Sequence, residues 1–338
     1  MLVHGRPGMD RESEADGAIT VQDGPAGRVV VVLNPASGRG TGRRSRPLLE
    51  AALTRAFGVD GNLRRWEIRE TTAPGSGTEI ARRAAKEGAG IVAAAGGDGT
   101  YGEVVNGLVG TDACLGVLPL GTGNDFARAL GLAGNLDLAA RALAEGCPKP
   151  IDLGRIGERY FINIAGCGFD AAVAKRVNRA NRGFRWLHGT AAYVAAVLQT
   201  LATWRAAEMC VTIDGDSMNL RAMLCCIANT PSYGGGMRIA PAARIDDGLL
   251  DVCILREAGR LEFLRAFPRV FKGTHLNHPK FFTRTARRIT IQSDIPLQVL
   301  VDGDVTHATP VTFEVAPSAI RVMMPPTGDR QAGQWNTQ

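Results

Sequence analysis

Paired cysteines, stacking aromatics, metal motifs and membrane-length apolar runs are all missing from this 338-residue chain. The seven cysteines (Cys114, Cys147, Cys167, Cys210, Cys225, Cys226 and Cys253) are odd in number and none falls in a CxxC spacing. Neither a zinc ribbon nor a disulfide framework is supported, and they read as reduced core residues of a cytoplasmic protein. His275 and His278 in 275-HLNH-278 lack the HExxH pattern and an acidic third ligand, so no metal is expected there. Aromatics make up 6% of the chain, and no basic run is interleaved with them, which argues against nucleic acid as a partner. The longest helical apolar patch, 191-AAYVAAVLQTLATW-204, is too short to span a bilayer and contains Gln199. The first 27 residues are polar and Gly-rich and hold no secretory apolar region. A soluble or peripheral protein is expected.

What is present is mildly basic: 39 Lys and Arg against 33 Asp and Glu, with a formal charge of +6. That balance suits a phosphate ligand or an anionic membrane surface, although many soluble proteins share it. The length is comfortable for two domains. From Arg28 a rhythm begins, with buried strands at 28-RVVVVLNP-35, 63-LRRWEIRET-71, 90-GIVAAAGG-97 and 115-LGVLPLG-121. Helical spacing at 45–57, 78–88, 103–109 and 124–132 separates and follows them. Such alternation predicts a parallel sheet with right-handed crossovers. Beyond Ile151, period-2 strands dominate, as in 159-RYFINIA-165, 208-EMCVTID-214 and 221-RAMLCCIAN-229, and one helix around 187–204 interrupts them. The expected fold class is α/β plus all-β. A disordered tail covers 1–27, a parallel-sheet α/β domain 28–150 and an antiparallel β-sandwich domain 151–320. The segment 321–338 then returns to the first domain before a disordered end.

Three strand–turn–helix corners carry glycine: 34-NPASGRG-40, 96-GGDGT-100 and 121-GTGND-125. In a parallel sheet these corners share the edge where ligands bind. Glycine there permits positive φ and lets main-chain N–H groups approach phosphate oxygens. No GxxxxGK(S/T) occurs, so the chain is not a P-loop protein. A formal GxGxxA, 166-GCGFDA-171, follows a strand, but no Asp or Glu lies between Asp170 and Glu208 to hold a ribose. The dinucleotide reading of that match fails.

GGDGT followed by 119-PLGTGNDFAR-128, together with NPASG, resembles the catalytic domain of the diacylglycerol kinase and sphingosine kinase family, in particular the soluble bacterial lipid kinases. GGDGT alone is shared with NAD kinases and related to 6-phosphofructokinases, whereas PLGTGNDFAR separates the lipid kinases from them. Downstream, 151-IDLG-154, 246-DDGLLDV-252 and 301-VDGD-304 occur in the family's order, so the resemblance runs from about Val29 to Val322. It implies an active site in the cleft between a nucleotide-binding domain and a β-sandwich domain, with ATP and Mg²⁺ as cofactors. It further implies that the backbone of Gly96, Gly97, Asp98, Gly99 and Thr100 packs on ATP phosphates, while Asp98 organises Mg²⁺ and its waters. Nucleotide contacts are implied for Asn34, Pro35, Ala36, Ser37, Gly38, Thr71, Tyr101, Gly102, Thr122, Asn124 and Asp125. For Asn34 and Thr122 simple capping is the alternative, and for Thr71 an ordinary loop.

The family's proton acceptor is the Glu of a DGE triplet. Here 302-DGD-304 places Asp304 there, with a side chain shorter by one methylene, roughly 1.5 Å. The triplet also reads as a hairpin turn. A second departure is Gly102, where the family carries Asn. Asp152 matches a family aspartate in the catalytic water network, or else caps an inter-domain hinge. Asp247 matches a second Mg²⁺ site completed by the carbonyls of Arg244 and Leu249, or else forms a turn. Lys175, Arg176, Arg179, Arg182, Arg185 and Arg205 lie in an acid-free stretch beside Trp186, suiting either a solvated face or anionic headgroups. The resemblance thus implies a cytoplasmic kinase, peripheral at the inner membrane surface, that phosphorylates a lipid alcohol. Diacylglycerol leads as substrate, followed by a sphingoid base or ceramide. An NAD kinase-like enzyme and a catalytically weak regulator stand as rivals, and a homodimer remains open.

Overall fold

In the computed structural model, residues 27–58, 65–183 and 190–326 are described. The first half holds four parallel strands, β1 (Arg28–Leu33), β2 (Arg65–Glu70), β3 (Ile91–Gly96) and β4 (Cys114–Pro119), in the order β2-β1-β3-β4. Every residue of β3 and all but the first of β1 are buried, as the uninterrupted apolar runs require of strands covered on both faces. Six helices connect or cover them: α1 (Ser37–Arg44), α2 (Arg46–Phe57), α3 (Ser76–Lys86), α4 (Asp98–Leu108), α5 (Asp125–Ala129) and α6 (Leu136–Glu145). The helix expected from Glu103 in fact begins at Asp98, inside the glycine motif, so the motif itself forms the first turn of α4.

The second half contains β5 (Cys147–Ile156), β6 (Arg159–Phe161), β7 (Ile164–Gly168), β8 (Ala207–Ile213), β9 (Asp216–Ala228), β10 (Leu250–Arg256), β11 (Phe281–Ala286), β12 (Arg288–Ser293), β13 (Gln298–Val301), β14 (Asp304–Ala308) and β15 (Val311–Met324). Their pairings with one another are antiparallel. β8 alternates buried and more exposed residues, which follows from one face on a core and one outside. The single strand expected over 159–165 is broken at Ile162 and Asn163, whose N–H groups turn to the Asp302 carboxylate instead of a neighbouring strand.

Among the described residues, three α-helices interrupt this half rather than one: α7 (Phe169–Gly183), α8 (Thr190–Thr203) and α9 (Arg260–Val270). Phe169, Val173, Val197, Leu201 and Phe263 from these helices share one core with Met223, Cys226 and Leu255 of the sheet. The 166-GCGFDA-171 segment is the β7–α7 junction. A Cβ on Gly166 or Gly168 would lie 2.6 Å from the Cys225 or Met223 carbonyl oxygen, so these glycines serve close strand approach.

β15 joins the halves. Its start pairs with β12, Arg321 and Val322 pair in parallel with Cys114 and Leu115 of β4, and β5 runs antiparallel beside most of its length. Ile320, Val322, Met323 and Met324 lie in the core of the first half. Among the described residues, no helix is long and apolar enough to cross a membrane.

Candidate active site

The carboxyl ends of β1, β3 and β4 open into a cleft of about 710 Å³. Its walls include Asn34, Ser37 and Gly38 after β1, Gly97–Thr100 at the start of α4, and Gly121–Gly123 after β4. Arg159, Tyr160, Asp302 and Asp304 close it from the second half. A second cleft, of about 520 Å³, lies on the other side of Asp302. It is lined by Asp125, Asn163, Asp170, Val177, Tyr233–Gly235, Met237, Phe271 and Leu300 among others. The two clefts share Asp98, Thr122, Gly123 and Asp302.

Asp98 ties this junction together. Its Oδ1 accepts from Phe126 N (2.9 Å) and Asn163 Nδ2 (3.1 Å), and its Oδ2 from Asp125 N (3.1 Å). Asp302 sits at φ +47° and accepts from Ile162 N (2.8 Å), Asn163 N (2.9 Å) and Ile164 N (3.2 Å). Loss of solvent pushes its pKa up to about 6, against the opposing pull of those three N–H groups. Asp304 is exposed, and its Oδ2 lies 3.2 Å from Arg159 Nη2.

The glycines divide by what forces them. A Cβ on Gly96 would lie 2.6 Å from Thr100 Cβ, and one on Gly121 would lie 2.5 Å from Gly97 Cα. Gly121 is glycine because two backbones cross there, and Gly96 because the Thr100 side chain occupies the space its Cβ would need. A Cβ on Gly99 meets nothing within 4 Å. None of these four has the positive φ that the sequence suggests for the corner; Asn124 takes it instead, at +51°. Asn124 Oδ1 accepts from Gly121 N and its Nδ2 donates to Gly121 O, so it builds the loop and lies outside the first cleft.

Of the residues named from sequence, Asn34, Ser37, Gly38, Gly97, Asp98, Gly99, Thr100, Gly102, Thr122 and Asp304 line the first cleft together. Pro35, Ala36, Thr71, Gly96, Tyr101, Asn124 and Asp125 do not. Asn34 lines the cleft but spends its amide on Ala36 N and Thr100 Oγ1. Thr71 N extends the strand bonding to Leu33 O. Tyr101 is fully buried and its hydroxyl donates to Gly96 O (2.9 Å). Asp125 belongs to the second cleft, where it bonds Arg128 and accepts from Gly235 N (2.7 Å); burial raises its pKa.

Asp152 lines neither cleft. Its Oδ2 accepts from Gly248 N (2.6 Å) and its Oδ1 from Ser318 N (2.8 Å), so its carboxylate fastens the 246-DDG-248 turn to β15. Asp247 caps that turn through Leu249 N (3.1 Å), and burial raises its pKa, with Asp152 adding to the rise. The buried His275 Nε2 lies 3.2 Å from Ile239 O, and His278 faces Glu262. Lys175 and Arg176 reach Gln298 and Thr203, whereas the side chains of Arg179 and Arg182, and all of Arg185 and Trp186, lie outside the described residues.

Arg159, Asn163, Asp170 and Tyr233 were not singled out by sequence as site residues. Each is one unremarkable residue in a strand, helix or loop, and only the tertiary fold brings them to the clefts. Asp170 hydrogen-bonds Tyr233, and burial pushes its pKa up to about 6.

A glycine-cornered parallel sheet facing a β-sandwich across an acidic cleft defines a two-domain phosphotransferase. Residues 28–156 match the diacylglycerol kinase catalytic domain, and 163–324 match the YegS C-terminal NAD kinase beta sandwich-like domain. A diacylglycerol kinase of Mycobacterium tuberculosis is 34% identical over 89% of this chain and 96% of its own. One of Bacillus subtilis is 35% identical over 75% of this chain and 84% of its own. The crystal structure of a diacylglycerol kinase from Bacillus anthracis superposes with a TM-score of 0.66, covering 89% of this chain and 97% of that one at 22% identity. A second structure from that organism reaches 0.74 over 91% and 98%, at 24% identity, so these two speak to the fold. The chain belongs to the diacylglycerol kinase family and is a lipid kinase.

Proposed function

We propose that the protein transfers the γ-phosphate of ATP to the hydroxyl of diacylglycerol, giving phosphatidic acid, with Mg²⁺ required. The observation that carries this is the meeting of two clefts along Asp98, Thr122, Gly123 and Asp302. The first cleft suits a triphosphate: its walls are mainly glycines and polar side chains, and the N-terminus of α4 opens into it. The second suits a lipid alcohol, with Asp170 and Tyr233 as polar contacts and Val177, Met237, Phe271 and Leu300 as apolar walls. A phosphoryl group passing between the two would cross their shared rim.

Four carboxylates (Asp98, Glu103, Asp302 and Asp304) face the first cleft against the single guanidinium of Arg159. A bare triphosphate would be repelled there; among the described residues no three acidic groups converge as a ready-made cation cage, so a hard divalent cation would have to arrive with the triphosphate. Asp98 and Asp302 are the residues we assign to hold Mg²⁺, which supplies charge neutralisation of the transferring group. We place a second Mg²⁺ at Asp247 with the carbonyls of Arg244 and Leu249, oxygen donors of the kind that ion takes. In this reading Asp304 takes the hydroxyl proton as transfer proceeds. Gly97–Thr100 cradle the phosphates, and Thr122 and Gly123 position the transferring group.

The test is transfer of label from γ-labelled ATP into a panel of diacylglycerol, ceramide and sphingoid base, with and without EDTA. Label in the diacylglycerol spot, lost with EDTA, is the expected result. Label confined to another lipid would displace diacylglycerol, and none in any lipid would sink the proposal.

A further inference from the structure

Of the seven large apolar side chains exposed among the described residues, five lie on α8 and on α9 with the residue that follows it. On α9 they form a pattern. Leu261 (69% exposed), Leu264 (38%), exposed Pro268 and Phe271 (45%) are spaced by three, four and three residues, one stripe along the helix. The core-facing stripe, Phe263, Ala266 and Val270, is separate and fully used, with Phe263 packed 4.8 Å from Phe169 between ring centres. The helix therefore carries a second apolar stripe that the described chain leaves partly exposed.

Beside that second stripe run Arg265, Arg269 and Lys272, all exposed. At 100° per residue they fall within roughly a quarter-turn of Leu261. Glu262 is the only acid on α9, and it is taken by Lys280 Nζ (2.6 Å) and His278 Nε2 (3.3 Å). The basic flank is thus left uncompensated on its own helix. Phe271, at the end of the stripe, also lines the second cleft.

We propose that α9 and its C-terminal residue Phe271 lie in the interface of an anionic phospholipid bilayer, with the stripe among the acyl chains and Arg265, Arg269 and Lys272 against the headgroups. An interfacial helix of this kind needs an apolar face, a basic flank and few acids. A second copy of the chain is the poorer occupant, because a two-fold contact on this stripe would bring the same three cations toward their own kind. The placement extends the proposed function, on whose lipid acceptor it rests. The mouth of the second cleft would open at the bilayer surface, and Phe271 would stand where a lipid leaves the membrane. The sequence points instead to the 175–185 segment for this role.

The experiment compares wild type, Leu261→Ser/Leu264→Ser and Arg265→Gln/Arg269→Gln by sedimentation with large vesicles of phosphatidylcholine alone or with phosphatidylglycerol. None of the four residues lines either cleft. Each variant is also assayed on a short-chain diacylglycerol dispersed as monomers. Wild type should sediment with the phosphatidylglycerol vesicles. The arginine pair should weaken this by about 30-fold or more, an effect that fades at 1 M salt, and the leucine pair should weaken it at either salt. Turnover of the monomeric lipid should stay that of wild type. Wild-type vesicle binding in both variants would overturn the docking face, whatever their activity. Wild-type self-association abolished by the leucine pair, with vesicle binding kept, would reassign the stripe to a subunit contact. Vesicle binding as expected, without turnover of any diacylglycerol, would leave the docking face standing and remove the proposed substrate.

Discussion

Arg159 and Asp304 face each other across the rim of the first cleft, Nη2 to Oδ2 at 3.2 Å, from strands β6 and β14. Both are accessible, so the pair contributes ~0–1 kcal/mol to stability and its removal should move Tm by less than about 4 °C. Its effect should be on chemistry. Asp304→Asn should lower kcat by ~10²–10⁴ with nucleotide binding unchanged, and Asp304→Glu should retain substantial activity. Arg159→Ala should raise the nucleotide KM more than it lowers kcat. Steady-state kinetics with a fluorescent nucleotide titration would check all three, and full turnover in Asp304→Asn would remove this carboxylate from proton transfer.

Asp98→Asn presents an NH₂ group to the Asp125 or Phe126 N–H, two donors face to face. Loss of charge at the junction of the clefts should cost at least ~10²-fold in kcat. Near-native circular dichroism together with that loss is the expected result. Wild-type turnover would take the aspartate of the GGDGT corner out of the mechanism.

Asp170 supplies a pH test. Its pKa in the folded chain, about 6, exceeds the ordinary 3.8, so folding favours its protonated form. The sign follows: this contribution is fully present below pH ~4 and is lost as pH rises through 6. Asp170→Asn should therefore be neutral near pH 4 and stabilising by roughly 2 kcal/mol at pH 7.5. Urea unfolding at the two pH values measures this. An equal change at both would show that Asp170 ionises in the folded chain as freely as in the unfolded one.

Two glycines should respond in opposite ways. Gly121→Ala drives a methyl into Gly97 Cα and should cost ~1–3 kcal/mol along with activity. Gly102→Asn restores the family's residue in a helix, where a Cβ meets nothing nearer than Asp302 Oδ2 at 3.8 Å. It should be stabilising by a few tenths of a kcal/mol and active. Thermal melts and turnover of both variants decide. A harmless Gly121→Ala would mean that the two backbones can move apart.

The strands of the first half were legible because 28-RVVVVL-33 and 91-IVAAAG-96 are buried on both faces and have no other reading. The glycine corners were legible as a site, but not the cause of each glycine. Backbone crossing at Gly97 and Gly121 depends on the separation of β3 and β4, which no local pattern encodes. Helix α9 escaped because Pro268 interrupts its pattern and two apolar stripes blur the single amphipathic face a sequence search looks for. The exposed edge strand β14 escaped because it lacks a buried side to give it alternation. Arg159 and Asp170 became site residues only through contacts spanning more than sixty positions of chain, Arg159 to Asp304 and Asp170 to Tyr233.

β15 carries a consequence for how the chain is made. The open flank of β4 and part of the first core wait for Ile320–Met324, which a ribosome delivers after more than 300 earlier residues. An emerging nascent chain would expose an unpaired parallel edge and an unfilled apolar gap until that strand emerged. The half that carries the glycine corners comes earlier in the chain and is among the last parts to be completed. A premature stop before residue 320 should therefore leave an aggregation-prone fragment rather than a free-standing first domain.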